Sequence, residues 1–138
     1  MYQKILIGVD GTESNKSAVR TALKMAKESG AEVTAMCVYN IGYYPSSIWG
    51  LGEGKENMIK KAEQDLAFAI NTAAEMGVKL ETKVSIGRPS EAIRQEAANY
   101  DLVIVGTHGR KGISRVVLGS VAAKISKKAP CPVLNCSE

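Results

Sequence analysis

One apolar run is followed by glycines, a Gly-Ser pair and cations in an order that suits an anion-binding turn. Val103-Ile104-Val105, after Tyr100-Asp101, reads as a buried strand that stops at Gly106. Thr107, His108, Gly109, Arg110, Lys111 and Gly112 follow, and Gly119-Ser120 then leads into Val121-Ala122-Ala123, which continues at helical spacing to Lys127-Lys128. A helix start leaves backbone N–H groups unpaired and carries partial positive charge, so a phosphate fits there. Glycine lets a ligand approach the backbone, Ser120 can cap the helix or donate to a phosphate oxygen, and Arg110, Lys111 and Arg115 add positive charge.

A second candidate lies near the other end of the chain. Ile5-Leu6-Ile7-Gly8-Val9-Asp10 is a short apolar run whose carboxyl end carries an acid. Gly11-Thr12-Glu13-Ser14 is turn chemistry, with Thr12 or Ser14 as the N-cap of the helix that follows. Each of these residues also has a plainer reading. The glycines can be loop punctuation, Asp10 a capping or surface carboxylate, Val38 a core residue and His108 a solvated loop side chain.

Gly106, Gly109, Gly119 and Ser120 together fit the spacing G-x2-G-x9-G-[S/T]. That pattern resembles the nucleotide-binding signature of the universal stress protein family. The opening Ile5–Thr12 and the closing Ala129-Pro130-Cys131-Pro132-Val133-Leu134 are similar to the same family, so the resemblance covers nearly the whole chain and is strongest at its ends. It implies an adenine nucleotide, ATP or AMP, with Asp10 and the backbone of Val38 contacting ribose and adenine. Gly106 would lie near the ribose, and the backbone N–H groups of Gly109, Gly119, Ser120 and Val121 would hold the phosphates. Gly11, Thr12, Thr107, His108 and Arg110 complete the expected nucleotide-binding set, and Mg2+ or Mn2+ can accompany the phosphates beside Thr12.

The elements that must position these residues alternate along the chain. Ala18, Val19, Ala22, Leu23 and Ala26 share one helical face that Gly30 ends, and Glu32–Tyr39 forms the second strand. Residues 40–55 read as a long loop containing Tyr43, Tyr44 and Trp49, a lid or partner-contact segment. Ile59, Ala62, Leu66, Ala69, Ile70 and Ala73 give a long amphipathic helix ending at Gly77, and the alternation from Val78 to Ile86 marks a more exposed third strand at a sheet edge. Pro89 opens a short helix buried through Ala92, Ile93 and Ala97, and Val133–Cys136 forms a fifth strand after the final helix.

Strands alternating with helices imply parallel β-α-β units with helices on both faces of an open α/β sheet. In such sheets a ligand binds at the carboxyl ends of the strands where their order reverses. Periodicity cannot rank neighbouring strands. The order 3-2-1-4-5, in a Rossmann-like sheet of the adenine nucleotide alpha hydrolase-like type, is implied by the resemblance, as is a homodimer through residues 132–136.

Length and composition bound the rest. The 138 residues are expected to form one domain, 1–138, and the 45% hydrophobic and 23% charged fractions are those of a globular protein. Met1-Tyr2-Gln3-Lys4 and the short run after it are neither a signal peptide nor a membrane span, so a cytoplasmic protein with no membrane contact is expected. Three cysteines without CxxC spacing and a single histidine argue against a disulfide framework or a zinc site. The net charge of +4 is spread along the chain and aromatics are only 5%, so nucleic acid is not the expected partner. No G-x4-G-K-[ST] or G-x-G-x-x-G is present, which removes the P-loop and nicotinamide readings. Three functions stay open: a nucleotide-dependent stress sensor with at most slow ATP hydrolysis, an interaction module without nucleotide, and a slow ATPase or adenylyl-transfer enzyme.

Overall fold

The computed structural model describes residues 2–39, 54–106 and 129–136, with the side chains of 54 and 55 excluded. Its strands are β1 (Lys4–Gly8), β2 (Glu32–Tyr39), β3 (Leu80–Ile86), β4 (Leu102–Gly106) and β5 (Val133–Cys136). The helices are α1 (Lys16–Ser29), α2 (Gly54–Met76) and α3 (Pro89–Glu96), the last followed by a 3-10 turn at Ala97–Asn99. All strand pairs are parallel, and the sheet order is β3-β2-β1-β4-β5 as expected.

Alternation along the inner strands assigns the two faces. Ile5, Ile7, Val33, Ala35, Leu102 and Ile104 pack with the apolar faces of α1 and α2. Leu6, Met36, Val103 and Val105 point the other way and pack with Ile93 and Ala97 of α3 and its turn. β1 and β4 are therefore buried on both faces, which is why their sequences are unbroken apolar runs. Asp101 joins them at their amino ends. Its carboxylate accepts the N–H groups of Gln3 at 2.9 Å and Lys4 at 3.1 Å, while its own N–H donates to the Lys4 carbonyl at 3.0 Å.

All five residues expected on the inner face of α1 are buried, and Gly30 closes that helix in the left-handed region at φ 74°. β2 has the expected bounds, and β3 is an edge strand with its side chains largely exposed. Two boundaries and the burial of two α2 residues differ from expectation. Val78 lies just past the end of α2 and caps it, its N–H donating to the Ala73 carbonyl at 2.9 Å, and the strand starts at Leu80. α2 begins at Gly54, inside the expected 40–55 loop, with Glu56 in its first turn complementing the helix dipole. Ile59 and Ile70 are 45% and 43% exposed, on the flank of a helix face whose buried floor is Ala62, Leu66, Ala69 and Ala73.

The connection from β1 to α1 is pinned from inside. Asn15 is 2% exposed, and its amide group donates to the Gly8 carbonyl at 3.0 Å while its oxygen accepts the Asp10 N–H at 3.3 Å. Thr12 Oγ1 accepts the Asn15 N–H at 3.3 Å in the turn before the helix. The N-cap of α1 is Asn15, not the expected Thr12 or Ser14, because the side chain of Asn15 is turned back to the Gly8 carbonyl and the Asp10 N–H. At the far end of β2, buried Tyr39 donates its hydroxyl to Asp65 Oδ2 on α2 at 2.8 Å.

Two consequences are measurable. Asn15→Ala strips the hydrogen bonds from a buried carbonyl and a part-buried N–H, and should cost about 1–3 kcal/mol in urea denaturation; a loss under ~0.5 kcal/mol would show that the loop does not need its pin. Burial, then the charges of Cys37 and Asp65, push the Tyr39 hydroxyl far above its ordinary value of 10.0. The folded chain thus holds this proton more tightly than the unfolded chain. The stability it contributes is complete below that ordinary value and falls as pH rises above it, by ~1.4 kcal/mol per pH unit. Tyr39→Phe should lose that share of the alkaline slope, and equal slopes in both proteins would contradict the assignment.

Candidate functional site

Among the described residues, β1, β2 and β4 end at one rim, where five of the expected residues lie. β1 pairs β2 with Gly8 opposite Met36, and β4 with Ile7 opposite Ile104. The Val9 N–H still donates to the Met36 carbonyl at 2.9 Å. Continuing each register by two residues sets Asp10 beside Val38 and Val9 beside Gly106. The chain runs from β1 to β2 and β3 on one side and returns to β4 on the other, so the order reverses between β1 and β4. A crevice at their carboxyl ends is the ligand position such sheets create.

The acidic loop is built by its own side chains. Asp10 Oδ1 accepts the Thr12 N–H at 2.9 Å and the Thr12 hydroxyl at 2.6 Å, closing an Asx-type turn. Thr12 Oγ1 also lies 3.2 Å from Ser14 Oγ. Gly11, between them, has φ 77°, a left-handed value that most side chains resist. A Cβ there would also meet Asp65 of α2, whose Cα would lie 2.9 Å away. Glycine is thus required at position 11 twice, by its backbone angle and by the helix lying against it.

Behind this loop, a cavity of about 260 Å³ opens between α1 and α2, lined by Thr12, Asn15, Lys16, Gln64, Asp65 and Phe68 among others. Its lining cation, Lys16, is held in place, and Arg20 shares the Phe68 ring with it. Lys16 Nζ lies 2.8 Å from Glu13 and 4.9 Å from the Phe68 ring centroid, and the Arg20 guanidinium is 5.1 Å from the same ring. The hydrogen bond from Lys16 holds the Glu13 carboxyl below its ordinary value.

Of the expected site residues, Asp10, Gly11, Thr12, Val38 and Gly106 are gathered at this rim. Thr107, His108, Gly109, Arg110, Gly119, Ser120 and Val121 lie outside the described residues, as does most of the 40–55 loop. Sequence reasoning missed Asn15, Tyr39 and Asp65. Asn15 had a signal, since an amide just before an amphipathic helix can hydrogen-bond the backbone of the turn that precedes it. Tyr39 and Asp65 are 26 residues apart and on different elements, so no local pattern joins them. Among the described residues no cluster of three or more His, Cys, Asp or Glu side chains is arranged to hold a metal ion. No helix among them is long and apolar enough to cross a membrane.

Comparison with known proteins agrees with this architecture. The chain matches the model of the universal stress protein family over residues 1–136. A universal stress protein of Methanocaldococcus jannaschii is 36% identical over 142 residues, which cover 97% of this chain and 81% of that protein. Among solved structures, the hypothetical protein MJ0577 superposes with a TM-score of 0.82 at 25% identity, covering 100% of this chain and 97% of that one. A universal stress protein solved in complex with cAMP superposes with a TM-score of 0.70 at 26% identity, covering 98% and 97% of the two chains. With the five-stranded parallel sheet and its strand order, these matches establish that the chain belongs to the universal stress protein family.

Proposed function

We propose that this chain binds an adenine nucleotide, ATP or AMP, at the rim between β1 and β4 and acts as a nucleotide-dependent sensor or switch in the stress response. The observation that carries the reading is the Asp10 loop. It is a carboxylate-bearing turn held at the strand ends by Thr12 and Asn15, beside the backbone of Val38 and the glycine that closes β4. In this reading the Asp10 carboxylate meets the ribose hydroxyls, and Val38 offers an N–H and a carbonyl to a base edge without a side-chain requirement. The phosphates belong on the backbone N–H groups of Gly109, Gly119, Ser120 and Val121, and a divalent ion can accompany them. Support comes from the relative solved with cAMP, an adenine nucleotide held in the same fold.

A switch fits better than a fast enzyme. Asp10 Oδ1 is engaged by two hydrogen bonds from Thr12, which makes it a loop-building acceptor and ill-placed to activate water. β5 forms one edge of the sheet, with Leu134 36% exposed on it. An apolar edge of this kind suits pairing with a second copy through residues 132–136.

Freshly purified protein, denatured and analysed by mass spectrometry, should release an adenine nucleotide, and calorimetric titration with ATP or AMP should give about micromolar affinity, roughly 8 kcal/mol. Asp10→Ala should weaken binding at least tenfold, and Gly109→Val or Gly119→Val should abolish it while leaving the fold intact. No released ligand and no heat would leave the glycines structural and favour an interaction module without nucleotide. Leu134→Asp should shift sedimentation from dimer to monomer; an unchanged sedimentation coefficient would rule out the β5 interface.

A further inference from the structure

Asp65 lies on α2, outside the residues that would touch a nucleotide, yet it contacts both segments that would. On one side its Oδ2 accepts the Tyr39 hydroxyl at 2.8 Å, at the carboxyl end of β2. Tyr39 directly follows Val38, and its own carbonyl accepts the Gly87 N–H at 2.9 Å, so the strand end is tied on both flanks. On the other side the Asp65 backbone and carboxylate lie against Gly11, within the distance that any Cβ would fill. Gly11 is the residue between Asp10 and Thr12, and that turn exists only in the left-handed backbone conformation it adopts.

The carboxylate is itself held. Lys61, one helical turn earlier, places its ammonium 3.4 Å from Asp65 Oδ2 and 5.9 Å from the centroid of the Tyr39 ring. Tyr39 is 2% exposed and Asp65 mostly buried, so water competes little for the bond between them. The Tyr39 hydroxyl keeps its proton across the physiological range, which makes it a permanent donor. Three elements, β2, α2 and the β1–α1 loop, therefore meet at one side chain.

We infer that Asp65 is a positioning residue of the nucleotide site, fixing the spacing between the Val38 backbone and the Asp10 carboxylate through Tyr39 and Gly11. This rests on the nucleotide reading given above. Base and ribose are joined by one bond, so a ligand can engage Val38 and Asp10 together only if the two stand at one separation. Freed from Asp65, each segment could still bind its own part of the ligand, but the pair would no longer select for an intact ribose.

The test compares calorimetric affinities for AMP and 2′,3′-dideoxy-AMP in the wild type, Tyr39→Phe, Asp65→Ala and Asp65→Asn, alongside thermal melting. The wild type should favour AMP by about tenfold, the order of a pair of hydrogen bonds to ribose hydroxyls. In Tyr39→Phe and Asp65→Ala that ratio should fall to within about threefold of unity, chiefly through weaker AMP binding. Asp65→Asn keeps an oxygen for the Tyr39 hydroxyl and should retain most of the ratio. A merely structural role would lower the melting temperature or weaken both ligands alike, and a ratio preserved in both Tyr39→Phe and Asp65→Ala overturns the inference. Should Asp65→Ala fail to fold, Tyr39→Phe decides alone, since it removes one oxygen and keeps the buried ring. A wild type that binds AMP without preferring it over the dideoxy analogue also overturns the inference. A wild type that binds neither removes the nucleotide reading itself, and the positioning role with it.

Discussion

The rest of the structure depends on the burial of β1 on both faces and both edges. Ile5, Leu6 and Ile7 are fully buried, and the strand is paired with β2 on one side and β4 on the other. A strand so enclosed has no polar side chain along its core, and between its two ends its backbone is satisfied by its two neighbours. Polar chemistry can begin only where the ladder stops. In this chain the last ladder hydrogen bond is made by the Val9 N–H, and the first polar side chain beyond, Asp10, stands where the sheet order reverses. The position of the candidate site follows from the point at which the most buried strand runs out of partners.

Leaving the ladder exposes backbone groups that must be satisfied at once, and the way this is done shapes the site. Asn15 takes the Gly8 carbonyl and the Asp10 N–H, and Asp10 takes the Thr12 N–H and hydroxyl. Side chains here replace a missing strand, so the loop is ordered without being regular. Two of the hydrogen bonds end on Asp10, which means that the acid proposed for ligand recognition is also part of the scaffold. Replacing it would disturb the turn as well as the contact, so the paired ligands used to probe Asp65 are more informative than any single substitution at position 10.

How legible all this was in the sequence depended on the range of each interaction. The face of α1 and the bounds of β2 were readable because helical spacing and an apolar run are local records of burial. The order of the strands was not, since periodicity reports which face a residue turns to and nothing about its neighbour across the ladder; it came from the resemblance of residues 5–12 and 106–120 to a family. Val78 looked like strand because its alternation with Leu80 is real, but the carbonyl at Ala73 claimed its N–H first. Ile59 and Ile70 satisfied the helical spacing and still lie on the flank, because Leu66 and three alanines fill the floor. In the site, Asp10 and Thr12 were readable as turn chemistry. Asp65 was not, because its meaning depends on how closely α2 passes Gly11, and nothing in a helical repeat records the distance to another segment.

That difference bears on what kind of recognition the fold allows. At this rim β1 and β2 supply one carboxylate and stretches of main chain, and main chain reads a ligand by its placement. A recognition surface of this type is only as selective as the spacing between its parts. The residues that set that spacing then matter as much as those that touch the ligand, although they carry no motif. Tyr39 and Asp65 hold such a place, joining β2 to α2 where α2 presses on Gly11. Within one sheet architecture, selectivity can shift by changing these supports while the glycines and the acid stay as they are.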